Sequence, residues 1–131
     1  MLTALAHTSV VTNTGRPSLL VHPNAESVAF GASFIDLRTR GPLRRILLAL
    51  VAQHRAAPGT ALSADVVFDA GWPAERASPK AAAARVYTAV YTLRRMGLRG
   101  VLVRRDDGYL LVSDITVETL DRFDAREAVA S

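Results

Sequence analysis

Residues 78–112 read SPKAAAARVYTAVYTLRRMGLRGVLVRRDDGYLLV, and the breakers within them decide the fold. Ser78-Pro79 is an N-cap followed by proline at the first helical position, where its missing N–H costs nothing, so a helix starts here. The helix is expected to run over 78–96 and to stop at Gly97. Ala83, Val86, Val90, Leu93 and Gly97 share one of its faces, which the apolar spacing turns toward a core. The opposite face holds Ala81, Ala84, Arg85, Thr88, Thr92 and Arg95, with Tyr91 on its flank. Beyond Gly97, residues 101–105 and 109–112 are apolar runs joined by Asp106-Asp107-Gly108. Asp-Gly between such runs signals a β-hairpin.

Upstream, Gly41-Pro42 opens another helix. Leu43, Ile46, Leu47, Leu50 and Val51 fall at helical spacing, Arg44, Arg45, Gln53 and Arg55 lie mostly outside, and Pro58-Gly59 ends the run. A shorter helix follows the N-cap Ser63, carries Val66, Val67, Phe68 and Ala70, and stops at Gly71-Trp72-Pro73. Residues 18–22 (SLLVH), 26–30 (ESVAF) and 33–37 (SFIDL) are short apolar runs broken by turn residues such as Pro23-Asn24, the pattern of a small antiparallel sheet. The spacing therefore predicts an α+β domain over residues 18–112, with a three-helix core, an N-terminal antiparallel sheet and a C-terminal hairpin. Residues 1–17 are expected to be an extension. Residues 113–131 are expected to be an acidic tail, with an amphipathic helix over 117–130 through Leu120, Phe123 and Val129.

Charge is segregated along the chain. The 131 residues carry a net charge of +4, with 15 arginines and the single Lys80. Between Arg38 and Arg105 there are 13 basic residues against three acidic ones, Asp65, Asp69 and Glu75, whereas residues 106–131 hold seven acids and two bases. A cationic stretch of this size marks a polyanion partner, and the arginine fork pairs bidentately with phosphate. Cysteine is absent, which removes disulfides, thiolate metal sites and cysteine nucleophiles and suits a cytoplasmic location. No stretch approaches 18 apolar residues and the start lacks a secretory pattern, so no membrane partner is expected.

Three helices, the last long and edged with small and basic residues, followed directly by a hairpin with arginines at its tip, follow the order of a winged helix-turn-helix. Ala81, Ala84, Thr88 and Thr92 keep the outer face slim enough for a major groove about 12 Å wide, and Arg85 and Arg95 supply donors for guanine edges or phosphates. Tyr91 offers a hydroxyl to phosphate. Lys80, Arg99, Arg104 and Arg105 complete the candidate DNA-binding set.

Residues 85–96 (RVYTAVYTLRRM) and 101–111 (VLVRRDDGYLL) together resemble the recognition helix and wing of the OmpR-type effector domains of bacterial response regulators. Val86, Val90, Leu93 and Arg94 fill that family's helix pattern, Arg105, Gly108 and Tyr109 fill its wing, and Asp69-Ala70-Gly71-Trp72 looks like the end of its second helix. The resemblance spans residues 18–112. It implies sequence-specific binding of double-stranded DNA by a transcription regulator, with the helix 78–96 in the major groove and the wing 101–112 on the backbone. Asp106 stands where the family usually has glycine, and with Asp107 it puts two carboxylates at the wing tip. The phosphorylatable receiver of that family has no counterpart in these residues. Winged helices also dock proteins, so a protein-interaction module of a signalling complex is the competing expectation.

No pattern of catalysis stands out. His7, His22 and His54 are scattered without ligand partners at metal spacing, Ser63 beside Asp65 is better explained as a helix cap than as part of a triad, and Gly97, Gly100 and Gly108 form no phosphate loop. No enzyme activity, metal or cofactor is expected. Trp72 is expected to anchor the core. Expected partners are DNA, a second copy of the chain to enlarge a small footprint, and a cationic protein or the domain's own basic face for the acidic C-terminal segment.

Overall fold

A computed structural model describes residues 16–119 of the chain, and these described residues form an α+β fold with three α-helices and two small sheets. Strands β1 (Ser18–Val21), β2 (Ser27–Phe30) and β3 (Ser33–Asp36) form the expected antiparallel meander. Alternation explains its sidedness: Val21, Val28 and Ile35 line up across the three strands and are fully enclosed, while Leu20, Ala29 and Phe34 form the outward row. A single turn of 3-10 helix at Pro23–Ala25 joins β1 to β2 and tucks Ala25 into the core.

Helix α1 (Gly41–Ala56) begins at the Gly41-Pro42 breaker and buries Leu43, Ile46, Leu47, Leu50 and Val51, the stripe expected from the sequence. Helix α2 (Ala64–Gly71) is capped by Ser63, whose Oγ accepts from the Val66 N–H at 3.3 Å. Helix α3 (Pro79–Leu93) is capped by Ser78, whose Oγ accepts from the Ala81 N–H at 3.2 Å. The regular helix ends at Leu93, and one turn of π-helix, Arg94–Leu98, completes the run that was expected to be helical to Met96. Gly97 stops it with φ +144°, and a Cβ there would lie 2.8 Å from the Ser33 Cβ. The end of the third helix therefore rests on β3, and only glycine fits the contact.

A second sheet, in the order β4-β6-β5, contains β4 (Leu62–Ser63), β5 (Leu102–Arg105) and β6 (Gly108–Leu111). The turn of the β5–β6 hairpin is Asp106-Asp107, both at positive φ (53° and 64°), rather than Asp-Gly. Gly108 pairs with Arg105 inside the ladder. It must be glycine for a different reason: a Cβ would stand 2.5 Å from the Leu62 carbonyl oxygen of β4.

The segment after β6 departs from the sequence expectation. Thr116–Thr119 is a strand, β7, that runs parallel to β1 and extends the first sheet to the order β3-β2-β1-β7. Two links hold it: the Thr116 N–H donates to the Pro17 carbonyl at 2.9 Å, and Arg55 at the end of α1 donates to the Val117 carbonyl and the Thr119 hydroxyl at 3.4 and 3.2 Å. The helix expected to start at Val117 is thus replaced by a strand over its first three residues, because the open edge of β1 satisfies the backbone there and β-branched Thr and Val suit it. Residues 120–130 of that expected helix, with Leu120 and Phe123, and most of the expected 1–17 extension lie outside the described residues. No helix among the described residues is long and apolar enough to cross a membrane.

Candidate functional site

Helix α3 buries one face and offers the other. Ala82, Val86, Ala89, Val90 and Leu93 sit in the core. Ala83, expected on that face, is exposed: the buried stripe runs through Val86 and Leu93, and Ala82, one turn before Val86, fills its first position. Ala81, Ala84, Thr88, Tyr91 and Arg95 follow the i, i+3/i+4 rhythm down the exposed side and make a narrow ridge. Ala84 and Thr88 end a few atoms from the backbone, so the ridge is slim over its middle turns.

A channel runs along each side of this ridge. On the α1–α2 side, an open groove of about 520 Å³ is lined by Thr39, Arg40, Pro42, Trp72, Arg85 and Thr88, among others. On the hairpin side, a narrower one of about 110 Å³ is lined by Tyr87, Val90, Tyr91, Arg94, Arg104 and Tyr109. Each channel thus has an arginine from outside the helix in its lining: Arg40 from the segment before α1, and Arg104 from β5. Sequence reading did not single out Thr39 or Arg40 as site residues, because only the packing of α1 beside α3 brings them there, nor Tyr87 and Arg94, which lie on the helical run itself and face the channel that the hairpin closes.

The predicted site residues fall into distinct settings. Thr88 is exposed on the ridge, and its carbonyl accepts from the Thr92 hydroxyl at 3.0 Å, which fixes the half-buried Thr92. Arg95 is exposed beyond the end of α3, with Nη1 3.4 Å from the Tyr91 hydroxyl and its guanidinium 5.9 Å from that ring. That hydrogen bond, with the charges of Arg95 and then Arg99 in the same direction, holds the Tyr91 phenol below its ordinary pKa, and in return Tyr91 raises that of Arg95. Lys80 and Arg99 are exposed at opposite ends of the helical run. Arg104 and Arg105 are exposed on β5, and Arg104 lies across from Tyr109, its guanidinium 6.0 Å from the ring.

Arg85 differs from the rest. It sits on the shoulder of the ridge, half-buried, with Nη1 donating to Glu75 Oε1 at 2.7 Å. Its guanidinium lies 4.5 Å from the Trp72 ring centroid and 5.7 Å from that of Phe68, and the two rings stack at 5.3 Å. Trp72 is partly buried against the core, between the end of α2 and α3. The ion pair is about half exposed, so solvent screening leaves it little weight in overall stability, on the order of 0.5 kcal/mol. Its effect is on where Arg85 points. Glu75 had a sequence signal, as one of three acids in an otherwise cationic stretch, but its partner is set by the turn between α2 and α3. No protein-family model and no curated protein matches the chain.

Proposed function

We propose that this chain is a winged helix-turn-helix domain that binds double-stranded DNA in the cytoplasm as a bacterial transcription regulator. In this reading α3 is the recognition helix, the β5–β6 hairpin is the wing, and α2 with the turn Trp72–Ser78 completes the helix-turn-helix. The element order supports the reading: helix, short strand, helix, helix, then a hairpin whose second strand pairs with that short strand. The observation that carries it is the slim ridge of α3 between two channels, each with an arginine contributed from outside the helix. An α-helix with its side chains is about 10–12 Å across, so it fills a major groove about 12 Å wide and leaves a phosphate backbone on either side. Arg40 and Arg104 then meet those backbones while Thr88 and Arg95 face the base edges.

Titration of the chain with a mixture of genomic duplexes at two salt concentrations tests the proposal. Submicromolar binding that weakens steeply with salt is expected, because each neutralised phosphate releases counterions. Absence of any binding at about 50 mM salt overturns it. That outcome favours the protein-docking reading, to which the exposed carboxylates of Asp106 and Asp107 at the hairpin tip and the exposed rings of Tyr87 and Tyr91 are suited.

A further inference from the structure

Three features of Arg85 belong together: an acid on one nitrogen, an indole under the guanidinium plane, and an open channel beside it lined by Ala84 and Thr88. Arginine carries five N–H donors in a rigid fork and many rotamers in its stem. A guanidinium tied at Nη1 and backed by Trp72 is restricted in both respects, and the donors not engaged by Glu75 remain for a ligand. Phosphate oxygens accept hydrogen bonds from a cation in almost any direction, so they do not need such restraint. A guanine edge, with O6 and N7 side by side, does. We infer that Glu75 is a positioning residue for sequence readout: with Trp72 it holds Arg85 for a guanine at one defined place in the target. It would thereby set the preference at that base pair without touching DNA itself. The inference rests on the DNA-binding reading above.

The arrangement also explains an otherwise awkward charge. A lone carboxylate beside a recognition helix repels phosphate, but one paired at 2.7 Å with an arginine has much of its field cancelled locally. The acid therefore orients a donor at little electrostatic cost.

The test is selection of bound duplexes from a randomised pool by the full-length chain and by Glu75→Gln, Arg85→Lys, Arg85→Ala and the Glu75→Gln/Arg85→Ala double variant, with melting temperatures measured in parallel. The wild-type arm reports on DNA binding as such, and a wild type that selects nothing overturns both readings. Given wild-type selection, a single guanine position is expected to lose roughly tenfold of its preference in Glu75→Gln, with the other positions unchanged. The same position is erased in Arg85→Ala. Arg85→Lys also loses it, since lysine keeps the charge and lacks the fork. In the double variant, Glu75→Gln adds nothing to Arg85→Ala, as coupled residues require. A uniform loss across all sequences, in step with a lowered melting temperature, marks Glu75 as a structural strut and overturns the inference. A uniform gain marks it as mere repulsion and does the same.

Discussion

The two channels beside α3 are built differently. On the α1–α2 side the key cation is fixed by an acid and an indole, and the neighbouring threonine hydroxyl is committed to its own helix backbone. On the hairpin side the walls are tyrosines and arginines: the Arg104 guanidinium lies 6.0 Å from the ring of the buried Tyr109, and Tyr91 has Arg95, outside the channel, 5.9 Å from its ring. A donor tied to an acid suits discrimination among base pairs, whereas arginines held only by neighbouring rings suit the less demanding task of holding phosphate. On the DNA-binding reading, preference is set by Arg85 in the first channel, while Arg104 in the second serves grip, as Arg40 does on the first side.

The strongest way to break the comparison is to remove the hairpin side. Gly108→Ala places a methyl group against the Leu62 carbonyl, and no rotamer relieves a clash with backbone. Separation of β4 from β6 is expected to cost about 3 kcal/mol and to lower Tm by roughly 10 °C or more in thermal denaturation. An unchanged Tm would show that the two strands tolerate a wider spacing. Filling the ridge between the channels comes next. Ala84→Glu adds length and negative charge at an exposed position, so DNA affinity should fall on the order of 100-fold while circular dichroism and Tm stay near wild type. Retained affinity would mean that this face of α3 does not enter a groove. The smallest effect sharpens the contrast. Arg104→Ala should weaken binding about tenfold or less for all sequences alike and reduce the slope of log affinity against log salt by about one. A change in preferred sequence would instead assign readout to the hairpin side.

Much of the fold was legible because its breakers are chemically explicit. Ser63 and Ser78 cap the helices they precede, Pro42 and Pro79 occupy first turns, and Gly97 ends the last run. The elements that escaped are those whose existence depends on a distant partner. Leu62–Ser63 is too short to show any period and becomes a strand only because β6 lies alongside. Thr116–Thr119 lies in a stretch whose later apolar spacing suggested a helix, and the free edge of β1 decided its first residues. The hairpin turn shifted by one residue because Gly108 is demanded by a close backbone approach rather than by its own dihedral. The site divides the same way. Thr88, Tyr91 and Arg95 follow from helical period alone, whereas the setting of Arg85 needed the turn that returns Trp72 and Glu75 to α3.

The pairing of β7 with β1 joins strands from nearly opposite ends of the described chain. As the polypeptide emerges from a ribosome, β1 to β6 and helices α1 to α3 are complete before Thr116 appears, and until then β1 has an open edge on one side. Pairings between such distant segments form slowly, and a waiting edge accepts strands from other chains. Synthesis of this protein therefore has a vulnerable interval that lasts until β7 emerges, and Arg55→Ala or Thr116→Pro, which remove the two links to β7, should reveal themselves first as poor yield of soluble protein rather than as altered binding.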